Sequence, residues 1–151
     1  MVETGQTAPA LSLMTDQGSF TLSEHLGKNV IIFFFPKADT SGCTKEAMAF
    51  SALQAEFEAA NTLVIGISKD SAEKQAKFRD KYGLTCLLGA DTEGTACEAF
   101  GVWVEKSMYG KKYMGIQRST FIIEKGKVIK SYEKVKVKEH AKEILDYIEQ
   151  S

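Results

Sequence analysis

Val30-Ile31-Ile32-Phe33-Phe34-Phe35 is the densest apolar run of the chain, with Lys28-Asn29 before it and Pro36 after it. β-Branched and aromatic residues in unbroken succession predict a strand buried on both faces, as in a sheet covered by helices. Pro36 ends the strand, because proline has no N–H to give to the ladder. Beyond a short loop, Phe50, Leu53 and Phe57 recur at i, i+3 and i+7, which predicts a helix from about Ser41 to Ala60 with one buried stripe. Thr62-Leu63-Val64-Ile65-Gly66-Ile67-Ser68 is a second continuous apolar strand, and Ser71 to Tyr82 reads as an exposed helix stopped by Gly83. A weaker strand near Thr85 to Leu88 and a short helix from Thr95 to Phe100 follow. Ser119 to Ile123 and Val128 to Lys134 flank Glu124-Lys125-Gly126-Lys127, a hairpin signal. Lys138 to Glu149 closes the chain as an amphipathic helix with Ala141, Ile144, Leu145 and Ile148 on one face. This order predicts an α/β fold with a mixed, partly parallel central sheet and helices on both faces.

A chain of 151 residues that is 44% hydrophobic has enough apolar mass for one core, and a single domain over residues 1–151 is expected. The formal net charge of -1 removes any global bias towards nucleic acid or anionic membrane. Locally, Lys106 to Lys142 carries eleven Lys or Arg against three acids, Glu124, Glu133 and Glu139, and reads as a solvated lysine face. No apolar run approaches a membrane span. Met1 to Gln6 has neither the basic head nor the apolar stretch of a signal peptide, so a cytoplasmic protein is expected. Cys43, Cys86 and Cys97 cannot all pair within one chain, which leaves at least one free thiol. Their separations match no zinc-ligand pair, and neither His25 nor His140 is near a cysteine in sequence, so no metal is implied.

The segment from Phe35 to Glu46 carries the chemistry. A buried strand ends, a loop turns, and Cys43 falls in the first turn of a helix. Unpaired backbone N–H groups and the helix macrodipole favour negative charge there, so a thiol in that position ionises more readily and becomes a nucleophile. As a bare cysteine, Cys43 would equally suit a small apolar position at a helix start. The strand-loop-helix placement and the hydroxyls of Thr40 and Thr44 favour chemistry.

The run Phe35-Pro36-Lys37-Ala38-Asp39-Thr40-Ser41-Gly42-Cys43-Thr44-Lys45-Glu46 resembles the active-site loop of peroxiredoxins, with Pro36, Thr40 and Cys43 at the family's spacing. It is most similar to the bacterioferritin-comigratory, or PrxQ-type, branch. Met108 to Phe121 resembles the stretch that delivers the active-site arginine of that branch, here Arg118. The resemblance implies a thioredoxin-like fold and a thiol-dependent peroxidase that needs no cofactor or metal. Cys43 would attack hydrogen peroxide or an organic hydroperoxide and become a sulfenic acid. Arg118 would stabilise both the thiolate and the departing oxygen, and Thr40 would hold the substrate. Pro36 would shape the pocket and shield the thiolate, the N–H groups of Gly42 and Cys43 would face developing charge, and Glu46 would orient the arginine.

The chain departs from the branch in three places. Met48 stands where the commonest resolving cysteine would be, Arg79 and its neighbours supply no cysteine at the alternative position, and Ser41 replaces a usual proline. The expectation is therefore a one-cysteine cycle in which an external thiol, from thioredoxin or from glutathione and glutaredoxin, attacks Cys43 directly. Cys86 and Cys97 are expected to be buried structural residues. As fallback resolving cysteines Cys97 ranks slightly above Cys86, because a helix end frays more cheaply than a strand. A monomer or weak dimer is expected. A thioredoxin-like disulfide oxidoreductase is disfavoured by the lack of a Cys-x-x-Cys pair. A nucleic-acid module is disfavoured because Tyr109 and Tyr113 fall inside the peroxiredoxin-like motif. A redox sensor or chaperone using the same cysteine remains compatible with the sequence.

Overall fold

In the computed structural model, which describes residues 1–150, the run from Val30 forms the central strand, and its side chains separate by parity. Ile31, Phe33 and Phe35 enter the core on one face of the sheet, while Val30, Ile32 and Phe34 enter the core on the other. Period-2 alternation with both faces apolar is what a covered sheet requires.

The strands are β1 (Ser12–Thr15), β2 (Gly18–Thr21), β3 (Asn29–Phe34), β4 (Thr62–Ser68), β5 (Leu87–Ala90), β6 (Trp103–Met108), β7 (Lys111–Ile116), β8 (Ser119–Glu124) and β9 (Lys127–Tyr132). The helices are α1 (Ser41–Ala52), α2 (Gln54–Ala59), α3 (Ala72–Tyr82), α4 (Thr95–Ala99) and α5 (His140–Glu149). Seven strands form one sheet in the order β2-β1-β5-β4-β3-β8-β9, and β6 and β7 form a separate hairpin. β3, β4 and β5 run parallel, whereas β8 pairs antiparallel with β3 and β1 antiparallel with β5. The mixed sheet expected from sequence is present. Its coverage is uneven. Helices α1, α2, α3 and α5 contribute to the core on one face, while α4 and a short 3-10 turn at Leu22–His25 contribute to the other.

Three expectations shift. The helix predicted from Ser41 to Ala60 is two helices, because Leu53 leaves helical geometry at φ -102°, ψ 14°. The break lets α2 turn back onto β4, so that the Phe50 and Phe57 rings meet at 5.9 Å in the core. The strand predicted near Thr85 to Leu88 begins at Leu87, because the preceding residues are bonded elsewhere. Thr85 N–H donates to Ser51 Oγ at 3.0 Å, and the Cys86 carbonyl accepts from Arg79 Nη2 at 2.6 Å. The hairpins β1–β2 and β6–β7 were not anticipated as such.

The helix ends follow ordinary rules. Ser71 caps α3 by accepting from Lys74 N–H, and Gly83 takes the left-handed conformation at its end. Asp91 accepts from the N–H groups of Ala96 and Cys97 at 3.0 and 2.8 Å, satisfying the start of α4. Close β3–β4 packing depends on Gly66, where a Cβ would lie 2.5 Å from the Phe33 ring.

Candidate active site

Topology brings the two informative segments together. Because β8 is antiparallel to β3, the start of β8 lies beside the end of β3, with Ser119 opposite Phe34. Arg118, just before β8, therefore arrives at the sheet edge where the chain leaves β3 for α1. The connecting loop is pinned from two directions. Asp70, after β4, accepts from Ala38 N–H at 2.8 Å and from Ser68 Oγ at 2.7 Å. Asp39, in the left-handed region at φ 61°, accepts from the Tyr82 hydroxyl and from Lys81 Nζ. These two partners hold the Asp39 carboxyl below its ordinary range, the Tyr82 bond first. Thr40 occupies the N-cap position with extended backbone, and its hydroxyl donates to the Lys37 carbonyl at 2.7 Å.

Cys43 is the third residue of α1 and only 1% exposed. Helix geometry leaves the N–H groups of Gly42 and Cys43 without intrahelical acceptors. Arg118 Nη2 donates to Cys43 Sγ at 3.2 Å, and Arg118 Nη1 donates to Glu46 Oε1 at 2.6 Å. Glu46 lies one turn along α1 from Cys43, so one helix face presents both groups to the guanidinium. Gly42 makes room for this approach: a Cβ there would stand 3.2 Å from Arg118 Nη2 and 3.9 Å from Val137 Cγ2. The Arg118 carbonyl accepts from Val135 N–H at 2.9 Å, which anchors the arginine backbone to the segment before α5.

Burial opposes both charges of the Glu46–Arg118 pair. It pushes the Glu46 carboxyl up to about 7, against the attraction of Arg118. Burial also works against the Arg118 cation, but Glu46 and Cys43 outweigh it and leave the guanidinium above its ordinary value. Glu46 Oε2 and Thr44 Oγ1 are buried without a hydrogen-bond partner among the described residues. Two residues along from Arg118, Thr120 Oγ1 and His140 Nε2 share a buried hydrogen bond of 2.8 Å. Burial holds His140 below its ordinary value, opposed by Glu143.

The other cysteines lie apart from this constellation. Cys86 belongs to the same core layer as Cys43, beside Ser51, whose hydroxyl is 3.8 Å from its sulfur. Burial pushes the Cys86 thiol up to about 11. Cys97, in α4, belongs to the core layer on the opposite face of the sheet, and burial followed by Asp91 raises its thiol further still. The expected order of the two as partners for Cys43 is therefore reversed by packing, since the sheet separates Cys97 from Cys43.

The sequence model of the AhpC/TSA family matches residues 4–132. This chain belongs to that family. It is 47% identical over 146 residues to peroxiredoxin Bcp of Bacillus subtilis, covering 95% of this chain and 93% of the relative. It is 44% identical to a putative peroxiredoxin bcp of Coxiella burnetii, covering 95% and 97%. Among solved structures, Xanthomonas campestris peroxiredoxin Q superimposes with a TM-score of 0.88 at 39% identity, covering 93% of this chain and 90% of that one. Mycobacterium tuberculosis BcpB superimposes with a TM-score of 0.86 at 34% identity, covering 99% and 98%. The chain is thus a peroxiredoxin of the Bcp/PrxQ group, a thiol-dependent peroxidase with a thioredoxin-like fold, and it acts on peroxide with a thiol reductant. No helix among the described residues is long and apolar enough to cross a membrane.

Of the residues singled out from sequence, the structure gathers Cys43, Arg118, Glu46 and Gly42 within one cluster. Thr40 stands at its edge with its hydroxyl proton given to the loop, and Pro36 stands exposed just past β3, in the strand-terminating position. Sequence reasoning missed Asp39, Asp70 and Tyr82, which hold the loop. Asp39 had one signal, since aspartate is among the few residues that tolerate the left-handed region. The others are joined to the site only by folding. Lys134, Lys136 and Lys138 are exposed while Val135 and Val137 turn inwards, as a solvated lysine face would be arranged.

Proposed function

We propose that Cys43 is the peroxidatic residue and that an external thiol resolves its oxidised form. The observation that carries this reading is the 3.2 Å contact from Arg118 Nη2 to a buried sulfur at the N-terminus of α1. In the reaction the thiolate sulfur forms a bond to the terminal oxygen of ROOH, the O–O bond breaks, and the departing RO⁻ takes a proton to become ROH. Two electrons leave sulfur, and Cys43 becomes a sulfenic acid. Arg118 supports this by remaining cationic throughout and offering parallel donors, while Glu46 fixes the guanidinium plane. Thr40 can still accept a hydrogen bond from the peroxide through its hydroxyl oxygen. Hydrogen peroxide and organic hydroperoxides both fit this chemistry.

The fate of the sulfenic acid follows from the other thiols. Cys86 is beside Ser51, eight residues and about 12 Å along α1 from Cys43 at the usual helical rise. A disulfide needs its α-carbons within about 7 Å. A thiol raised to about 11 is also mostly protonated and slow to attack at neutral pH. An external thiol, from thioredoxin or from glutathione and glutaredoxin, therefore forms the mixed disulfide with release of water, and a second thiol frees Cys43. We further propose that residues 1–151 act as one domain, in the cytoplasm, as a monomer or weak dimer. The test is peroxide consumption by Cys43→Ser, Cys86→Ser and Cys97→Ser with each reductant. Activity should vanish in the first variant and survive in the other two; full activity in Cys43→Ser would end the reading.

A further inference from the structure

A second cation stands near the reacting sulfur on an element the peroxidase chemistry leaves unused. Lys106 lies in β6 of the separate β6–β7 hairpin and pairs across it with Tyr113. Its neighbours Glu105 and Ser107 are exposed, but Lys106 is half-buried. Its stem runs over Gly115, with Cδ and Cε 3.2 and 3.5 Å from where a Cβ on that glycine would be. The absence of a side chain at Gly115 thus lets the lysine lie flat along the hairpin towards Arg118. Its ammonium is electrostatically coupled to both Arg118 and Cys43. Burial, reinforced by Arg118 and opposed by Cys43, holds it below its ordinary value. Among the described residues it has no carboxylate within ion-pair distance, whereas Lys112 on the same hairpin pairs with Glu105.

The anion acting on this partly desolvated cation is the Cys43 thiolate, which Arg118 already holds, so an anion carried in by the substrate would find the ammonium still under-compensated. The reacting oxygens are already served by Arg118. On the Lys106 face of the hairpin, its cross-strand partner Tyr113 and Met108, two residues along the same strand, are 43% and 55% exposed and offer apolar contact. We infer that Lys106 is a specificity-determining residue that binds the carboxylate of an organic hydroperoxide whose peroxide group reaches Cys43.

This inference rests on the peroxidase reading, and the experiment separates the two. The probes are the para-carboxylate of cumene hydroperoxide and its methyl ester, which differ by one charge. The readout is the second-order rate constant of Cys43 oxidation by stopped flow, which involves no reductant. Lys106→Gln should lower the acid-to-ester rate ratio roughly tenfold, the size of one screened charge interaction over a few ångströms. Lys106→Arg should restore most of it. Salt should lower the wild-type ratio and leave that of Lys106→Gln nearly flat. An unchanged ratio in Lys106→Gln, including the case in which both rates fall together, would overturn the inference. A wild type inert towards the ester as well would sink the peroxidase reading and the inference with it.

Discussion

Glu46→Gln isolates the cost of burying a carboxylate one helical turn from Cys43. Glu46 is 1% exposed, has one oxygen on Arg118 and leaves the other without a partner among the described residues. Burial raises it from an ordinary value of 4.5 to about 7. A raised carboxyl holds its proton longer in the folded than in the unfolded chain, so between those two values unfolding releases a proton. Stability from this group is therefore complete below pH 4.5 and is lost as pH rises through 7. At about 1.4 kcal/mol per unit, the interval is worth about 3 kcal/mol. Glutamine keeps the shape and cannot titrate. The stability of wild type minus that of Glu46→Gln should accordingly fall by about 3 kcal/mol between pH 4.5 and pH 8, read from urea unfolding at several pH values. A difference that rises over that range would show that the Arg118 ion pair outweighs desolvation, and the electrostatic account of the site would be wrong.

Arg118→Ala should lower the second-order rate of Cys43 oxidation by on the order of a hundredfold or more, the loss expected when one charged transition-state donor is removed. A fall of less than about threefold would make Arg118 structural. Gly66→Ala should destabilise the fold by about 1–3 kcal/mol in chemical denaturation, because the new methyl would sit 2.5 Å from the Phe33 ring between two central strands. Unchanged stability would mean that β3 and β4 are less tightly apposed.

Much of the scaffold was legible because local and global signals agree. The Val30 to Phe35 run is apolar at both parities and fills both core layers. Ser71 and Gly83 are strong stop signals and bound α3 as read. The single long helix failed because Phe50, Leu53 and Phe57 keep helical spacing across a break that only packing against β4 demands. β1 is four residues long with one buried position, too short for a periodicity argument. At the site, Cys43 and Arg118 could be paired from sequence only through the family motif. Their 75-residue separation is closed by the antiparallel β3–β8 pairing. The misplaced ranking of Cys97 has the same origin, because sequence cannot say which face of the sheet a short helix covers.

On the proposed reading, Cys43 alone carries the oxidised state until an external thiol arrives. This is tested most directly by mass spectrometry of the protein after one equivalent of peroxide with no reductant present. The expected result is a gain of one oxygen on the Cys43 peptide, trapped by a sulfenic-acid reagent, with Cys86 and Cys97 still reduced. Rapid loss of two thiols per chain, with a peptide linking Cys43 to Cys86 or Cys97, would contradict it.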